Sequence, residues 1–170
     1  MAKLEIIKVP DPFLRVVSEP VAQVDDTVRR LADDMLETMY AAPGIGLAAI
    51  QVAVPKRLLV VDVGDEEAPE PHCLINPEIV RFGDAKRVHE EGCLSIPDVH
   101  VEIERPAELT VRYIDLEGKE RELQAEGLLA TAIQHEMDHL EGRLIIDYLS
   151  RLKRDIIVRR FKKAQRATAP

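Results

Sequence analysis

The stretch Gln134, His135, Glu136, Met137, Asp138, His139 holds the densest chemistry in the chain. His135 and His139 are four residues apart. On a helix that spacing puts both imidazoles on one face, where they can grip one metal ion. Glu136 follows the first histidine and is placed to handle the protons of a metal-bound water. One short segment thus proposes a metal, a nucleophile and a general base.

A catalytic metal takes three protein ligands and keeps one position open. Glu141 is too close in sequence to face the same way as the histidines, and Asp147 lies beyond the Gly142 break. Cys93, upstream in Glu91, Gly92, Cys93, Leu94, Ser95, is the better candidate. Gly92 lets the backbone bend there, and a metal would hold the sulfur as thiolate. Two His and one Cys suit iron(II), zinc, cobalt or nickel. Read singly, Cys93 also fits a small buried residue, and the two histidines fit hydrogen-bonded core groups. The other histidines, His72, His89 and His100, are scattered, so the pair at 135 and 139 stands apart.

A third element is 44–51, from Gly44 and Gly46 to Gln51. It lacks the third glycine of a dinucleotide site and the Lys-Ser/Thr of a P-loop. It reads as backbone that a substrate approaches closely, with Gln51 as a neutral amide donor to a developing oxyanion.

These side chains need elements to hold them. Asp25 or Asp26 caps a first helix with apolar spacing Val28, Leu31, Ala32, Met35, Leu36, Met39, ended by Pro43 and Gly44. Residues 58–63 read as a buried strand, and 74–80 as a strand interrupted at Pro77, at an edge or a bulge. Residues 109–114 and 120–124 flank Asp115 to Gly118 and predict a hairpin. Leu128, Leu129, Ala132, Ile133, Met137 and Leu140 stripe a second helix that carries the histidines and stops at Gly142. A third helix starts near Ser150, with Leu152, Ile156, Ile157 and Phe161 opposite its basic residues. The order implies an α+β fold, with antiparallel or mixed sheets around the central histidine-bearing helix and a helix at each end.

The 170 residues suit one domain, 1–170, with 150–170 as a basic C-terminal helix and tail. No apolar run approaches the roughly 20 residues that span a bilayer. The start shows no secretory pattern, so the cytosol is expected. In a cytosolic chain Cys73 and Cys93 are not expected to form a disulfide, and Cys73, before Leu74 and Ile75, reads as a buried small residue. Net charge is −8, yet residues 151–170 carry eight Lys or Arg against Asp155 alone. That tail reads either as a solvated helix face or as a patch for a polyanionic partner.

Taken together, 44–51, 91–95 and 134–139 resemble the three motifs of the peptide deformylases: Gly-apolar-Gly-apolar-Ala-Ala-x-Gln, Glu-Gly-Cys-apolar-Ser and Gln-His-Glu-x-Asp-His. The resemblance extends to 33–40, 75–77, 127–130 and 147–149, and so runs from about residue 3 to about residue 155, in the bacterial form with a helical C-terminus. It implies a hydrolase that removes the formyl group from the N-terminal formylmethionine of nascent proteins and releases formate. Cys93, His135 and His139 would hold one divalent metal, iron(II) natively, replaceable by nickel, cobalt or zinc. Metal-bound water would be the nucleophile. Glu136 would take its proton and pass it to the leaving amine. Gln51 and the Leu94 N–H would stabilise the oxyanion. Ile45, Gly46 and Gly92 would meet the substrate backbone. Ile45, Leu94, Thr131 and Ala132 would line the methionine pocket. Glu91 and Gln134 would support the ligands, and Asp138 would orient a ligand or pair with an Arg such as Arg105. The family's C-terminal helix docks on the ribosome, which gives the basic tail a partner. One departure stands out. Many members carry an Arg soon after the segment Ser95, Ile96, Pro97; here the chain reads Asp98, Val99, His100, which leaves peptide preference beyond methionine open.

On the residues alone, a zinc endopeptidase and a structural metal module are the rivals. The first lacks its downstream third ligand, and the second a fourth protein ligand.

Overall fold

The computed structural model describes residues 2–168; Ala169 and Pro170, the end of the expected tail, and Met1 lie outside the described residues. Helix α1 spans Asp26–Ala41 and begins where Asp25 Oδ1 accepts the Val28 N–H at 3.0 Å. Its apolar face buries Ala32, Met35 and Met39. The strands follow as β1 (Gly46–Ala48), β2 (Leu58–Val61), β3 (His72–Phe82), β4 (Lys86–Cys93), β5 (Ile96–Pro106), β6 (Glu108–Ile114) and β7 (Glu120–Glu126). Then come α2 (Gly127–Leu140) and α3 (Arg151–Thr168).

Five strands form one antiparallel sheet in the order β1-β2-β3-β6-β7, and β4 pairs with β5 as a separate ribbon. Helix α2 packs on β1, β2 and β7 of the large sheet and on β5 of the ribbon. The expected α+β architecture around a central helix is therefore what the chain adopts. Because α2 is covered on both sides, nine of its residues are buried, among them Thr131, Gln134, His135, Glu136 and His139. Buried polar groups require partners. Gly142, at φ +74°, ends the helix, and a Cβ there would run into the Arg15 backbone.

The 115–119 turn forms as predicted: Asp115 Oδ1 accepts the N–H groups of Glu117 and Lys119, each at 2.9 Å. Of the edge or bulge expected at Pro77 the chain takes the bulge: β3 lies between β2 and β6, and a register shift between Ile75 and Glu78 absorbs the missing N–H. The ribbon β4-β5 was not expected. On α3, Leu152 and Ile156 stay exposed, at 67% and 50%, while Ile157, Val158 and Phe161 pack on Leu144, Ile145 and Ile146. Ile157, Val158 and Phe161 share the face that meets the body, and Leu152 and Ile156 lie on the opposite side of the helix. Among the described residues no helix is long and apolar enough to cross a membrane.

Candidate metal centre

Strand β4 ends at Cys93, and its pairing with β5 shifts register between Gly92 and Cys93. The shift turns the thiol toward α2. One ligand atom each from Cys93, His135 and His139 lies within 4.8 Å of the others. Cys93 Sγ is 3.4 Å from His139 Nε2. The two rings stand at 61°, their centroids 5.1 Å apart. Among the described residues no fourth His, Cys, Asp or Glu joins this group. Two imidazole nitrogens and a thiolate with one side open are the donor set of a first-row catalytic metal, and the residues fit such an ion.

His135 is held from behind. His135 Nδ1 lies 3.0 Å from Glu91 Oε1, so Nδ1 carries the proton and Nε2 is left for the metal. Glu91 in turn accepts a fork from Arg105, Nε at 2.7 Å and Nη2 at 3.0 Å. Arg105 Nη1 donates to Asp138 Oδ2 at 3.0 Å, and the Tyr148 hydroxyl donates to the same oxygen at 2.7 Å. The Tyr148 ring lies 5.1 Å from the guanidinium carbon. Burial pushes Glu91 up, but the bonds from His135 and Arg105 outweigh it and hold the carboxyl below its usual range. The expected pairing of Asp138 with Arg105 is present. Gln134 does not support a ligand; its Nε2 donates to Pro106 O and Ala130 O, pinning α2 to the end of β5.

Burial, helped by the neighbouring His135, drives His139 well below the ordinary imidazole range, which keeps its ring a neutral donor. His135 is held well above that range: burial opposes the charged ring, but Glu136, Cys93 and Glu91 outweigh it. Burial raises Glu136 to about 7. Its Oε1 is buried without a partner, and its Oε2 lies 3.9 Å from His135 Nε2.

Gln51 is fixed by its own carbonyl, which accepts the Ala48 N–H at 2.9 Å. That aims Nε2 at Ser95 Oγ, 3.0 Å away, and at Cys93 Sγ, 3.7 Å away. An open cleft of about 1340 Å³ passes these groups and is also lined by Ile45, Gly46, Gly92, Leu94, Thr131 and Ala132. The expected catalytic, substrate and metal residues all line this cleft except His139, which is 1% exposed, and the expected supporting residues Gln134 and Asp138 lie off it. Gly46 is buried, and a Cβ there would overlap Glu136 Oε2, so its lack of a side chain makes room for the carboxylate. On Gly92 a Cβ would come within 3.2 Å of the His100 ring, which also borders the cleft. Thr131 Oγ1 is taken by Arg87 Nη1 at 2.8 Å.

The sequence reading missed Ser95 as a partner of Gln51, Tyr148 as a partner of Asp138, and Arg105 as the clamp on Glu91. No local signal marks them, because each contact spans at least ten residues.

The family model described as polypeptide deformylase matches residues 3–155. The chain belongs to the polypeptide deformylase family. It is therefore an enzyme, a hydrolase of a linear amide. A peptide deformylase of Rhizobium meliloti (strain 1021) is 63% identical over 160 residues, which cover 94% of this chain and 92% of that protein. One from Mesorhizobium japonicum is 58% identical over 166 residues, covering 97% and 94%. The crystal structure of the Ehrlichia chaffeensis peptide deformylase superimposes with a TM-score of 0.92 at 43% identity, over 98% of both chains. A second structure of that relative is a complex with actinonin. Peptide deformylases are metalloenzymes, and the Cys93, His135, His139 cluster is where this deformylase brings metal-binding side chains together.

Proposed function

We propose that this chain removes the N-formyl group from the N-terminal formylmethionine of nascent proteins, as one catalytic domain over residues 1–170. The observation that carries the reading is the joining of three elements: the Cys93, His135, His139 cluster, the unpartnered Glu136 carboxylate and the Gln51 amide, all at one cleft. When bound, a divalent metal, iron(II) by this reading with nickel, cobalt or zinc able to replace it, polarises the formyl oxygen and lowers the pKa of water to about 7.

The chain's own residues do the rest. Glu136, raised to about 7, accepts a proton and returns it to the leaving amine with little cost in either direction near neutral pH. Gln51 Nε2 and the Leu94 N–H donate to the oxygen that gains charge. The large sheet ends at β1 and the ribbon at β4, so each offers an unpaired edge, and Ile45, Gly46 and Gly92 on those edges line the cleft. An extended peptide fits between them as an added strand. Ile45, Leu94, Thr131 and Ala132 then surround the methionine side chain. By the same reading the ribosome is a partner through the basic face of α3, the cytosol is the place of work, and actinonin competes for this cleft.

The test is formate release from formyl-Met-Ala-Ser by metal-loaded protein, run beside an internally cleavable peptide. Cleavage of the second substrate alone would refute the proposal. Glu136→Ala should keep its metal and lose at least about 100-fold in kcat, and full activity in that variant would refute the base role.

A further inference from the structure

Two side-chain bonds join one face of strand β4 to α2. Arg87 bonds Thr131 at 2.8 Å, and four residues on Glu91 bonds His135 at 3.0 Å. Strand residues two apart share a face, so His89 lies in the same row, midway between these contacts. It lines the cleft together with Leu128, Thr131 and Ala132. Its Nδ1 is buried and has no hydrogen-bond partner. A buried bare lone pair is tolerated better than a buried bare N–H, so the proton belongs on Nε2, the nitrogen left open to the cleft. Thr131 accepts from Arg87, which leaves the hydroxyl proton free to donate as well. The wall beside the first residue's side chain thus presents two donors where a purely aliphatic wall would present none.

We propose that His89 is a specificity-determining residue: its Nε2–H donates to an acceptor at the thioether position of the first residue, so that chains beginning with formylmethionine sulfoxide are substrates. This rests on the deformylase reading above. Norleucine has methionine's shape with no acceptor, the thioether is a weak acceptor, and the sulfoxide oxygen a strong one. In an aliphatic pocket the sulfoxide oxygen would be desolvated and unpaired, and the oxidised substrate would be rejected. With His89 present that oxygen has a partner. A site built to hydrogen-bond a substrate group disfavours the analogue that lacks it.

The experiment measures kcat/KM of the metal-loaded enzyme for formyl-Met-Ala-Ser, its norleucine analogue and each sulfoxide epimer. In the native enzyme at least one epimer should be processed faster than the norleucine peptide. His89→Leu should lower the sulfoxide-to-norleucine ratio roughly tenfold, the value of one hydrogen bond. His89→Gln keeps an N–H donor and should retain the preference. Independently of turnover, the His89 ¹⁵Nε2 resonance should move on adding the deformylated sulfoxide peptide and not its norleucine counterpart. A His89→Leu ratio within twofold of native, or norleucine preferred over both epimers by the native enzyme, would overturn the role of His89. Failure on all four peptides would instead overturn the deformylase reading itself.

Discussion

Replacing Glu91 by Gln tests the support behind His135, a proposed metal ligand. Glu91 and Arg105 side chains are 3% and 6% exposed, and two bonds join them. Removing one partner of a buried ion pair costs about 3–5 kcal/mol, because the other charge is stranded. Here the cost falls at the low end, near 3 kcal/mol, since Arg105 keeps Asp138 at 3.0 Å and the Tyr148 ring at 5.1 Å. For a chain of this size that lowers Tm by roughly 6–12 °C. The second consequence is separate. His135 Nδ1 loses a carboxylate acceptor, so its ring is less basic and less firmly oriented, and metal affinity should fall about 10- to 100-fold. Equilibrium unfolding of the metal-free protein measures the first effect, and chelator competition measures the second. A variant that binds metal within twofold of native would refute the claim that Glu91 tunes His135. One that loses under about 1 kcal/mol would refute the claim that the pair is stranded by its removal.

Gly46→Ala should retain metal and lose kcat, because its Cβ overlaps Glu136 Oε2 and must displace the proposed general base; overpacking of this kind also costs about 1–3 kcal/mol, read by thermal unfolding. Gln51→Glu keeps the acceptor for the Ala48 N–H but removes the donor at Nε2, so kcat for formyl-Met-Ala-Ser should drop about 100-fold with a much smaller loss of stability. Asp147 is partly buried, which raises its carboxyl, but Arg15 at 2.6 Å and the Leu144 N–H outweigh that and hold it below its usual range. Its ionised form therefore stabilises the fold above the unfolded carboxyl value, about pH 4, and the contribution is lost as pH falls through the lower native value. Asp147→Asn should cost about 1 kcal/mol in urea unfolding at pH 7, screened by the exposure of Arg15, and the gap should close below about pH 4.

Local patterns made much of this site readable. A cap at Asp25, a turn at Asp115 to Gly118 and an apolar stripe interrupted by His135 and His139 are each written within a few residues. The ribbon was not read, for two different reasons. In β5 the signal exists: Val99, Val101 and Ile103 are buried and alternate with exposed His100, Glu102 and Glu104. In β4 it hardly exists, because Lys86, Arg87, His89, Glu90 and Glu91 have no strand-like composition. Glu91 goes inside only because Arg105, 14 residues on, is carried beside it by β5. Periodicity reports that a residue is buried, not what it is buried against. For the same reason Gln134, a neighbour of His135 in sequence, serves the backbone of β5 rather than the metal.

The bookkeeping of buried polar atoms locates the chemistry independently of any motif. A helix enclosed between two sheets must satisfy its polar side chains internally, and α2 largely does: Gln134 reaches two carbonyls, Thr131 meets Arg87, His135 meets Glu91 and Asp138 meets Arg105. Among the described residues five buried side-chain atoms have no partner, on Ser18, Glu37, His89, Glu136 and His139. Three of the five belong to the metal cluster or to the cleft that opens on it. Leaving such a group bare costs about 1–3 kcal/mol, so their convergence is not neutral for folding. It is tolerable where a ligand completes the set. By the proposed function Glu136 Oε1 is where a proton comes and goes, while the bare Nδ1 of His89 leaves the opposite ring nitrogen to carry the proton toward the cleft. The same helix is therefore paired where it holds the fold and leaves Glu136 Oε1 and His139 Nδ1 unpaired at the metal-binding cluster.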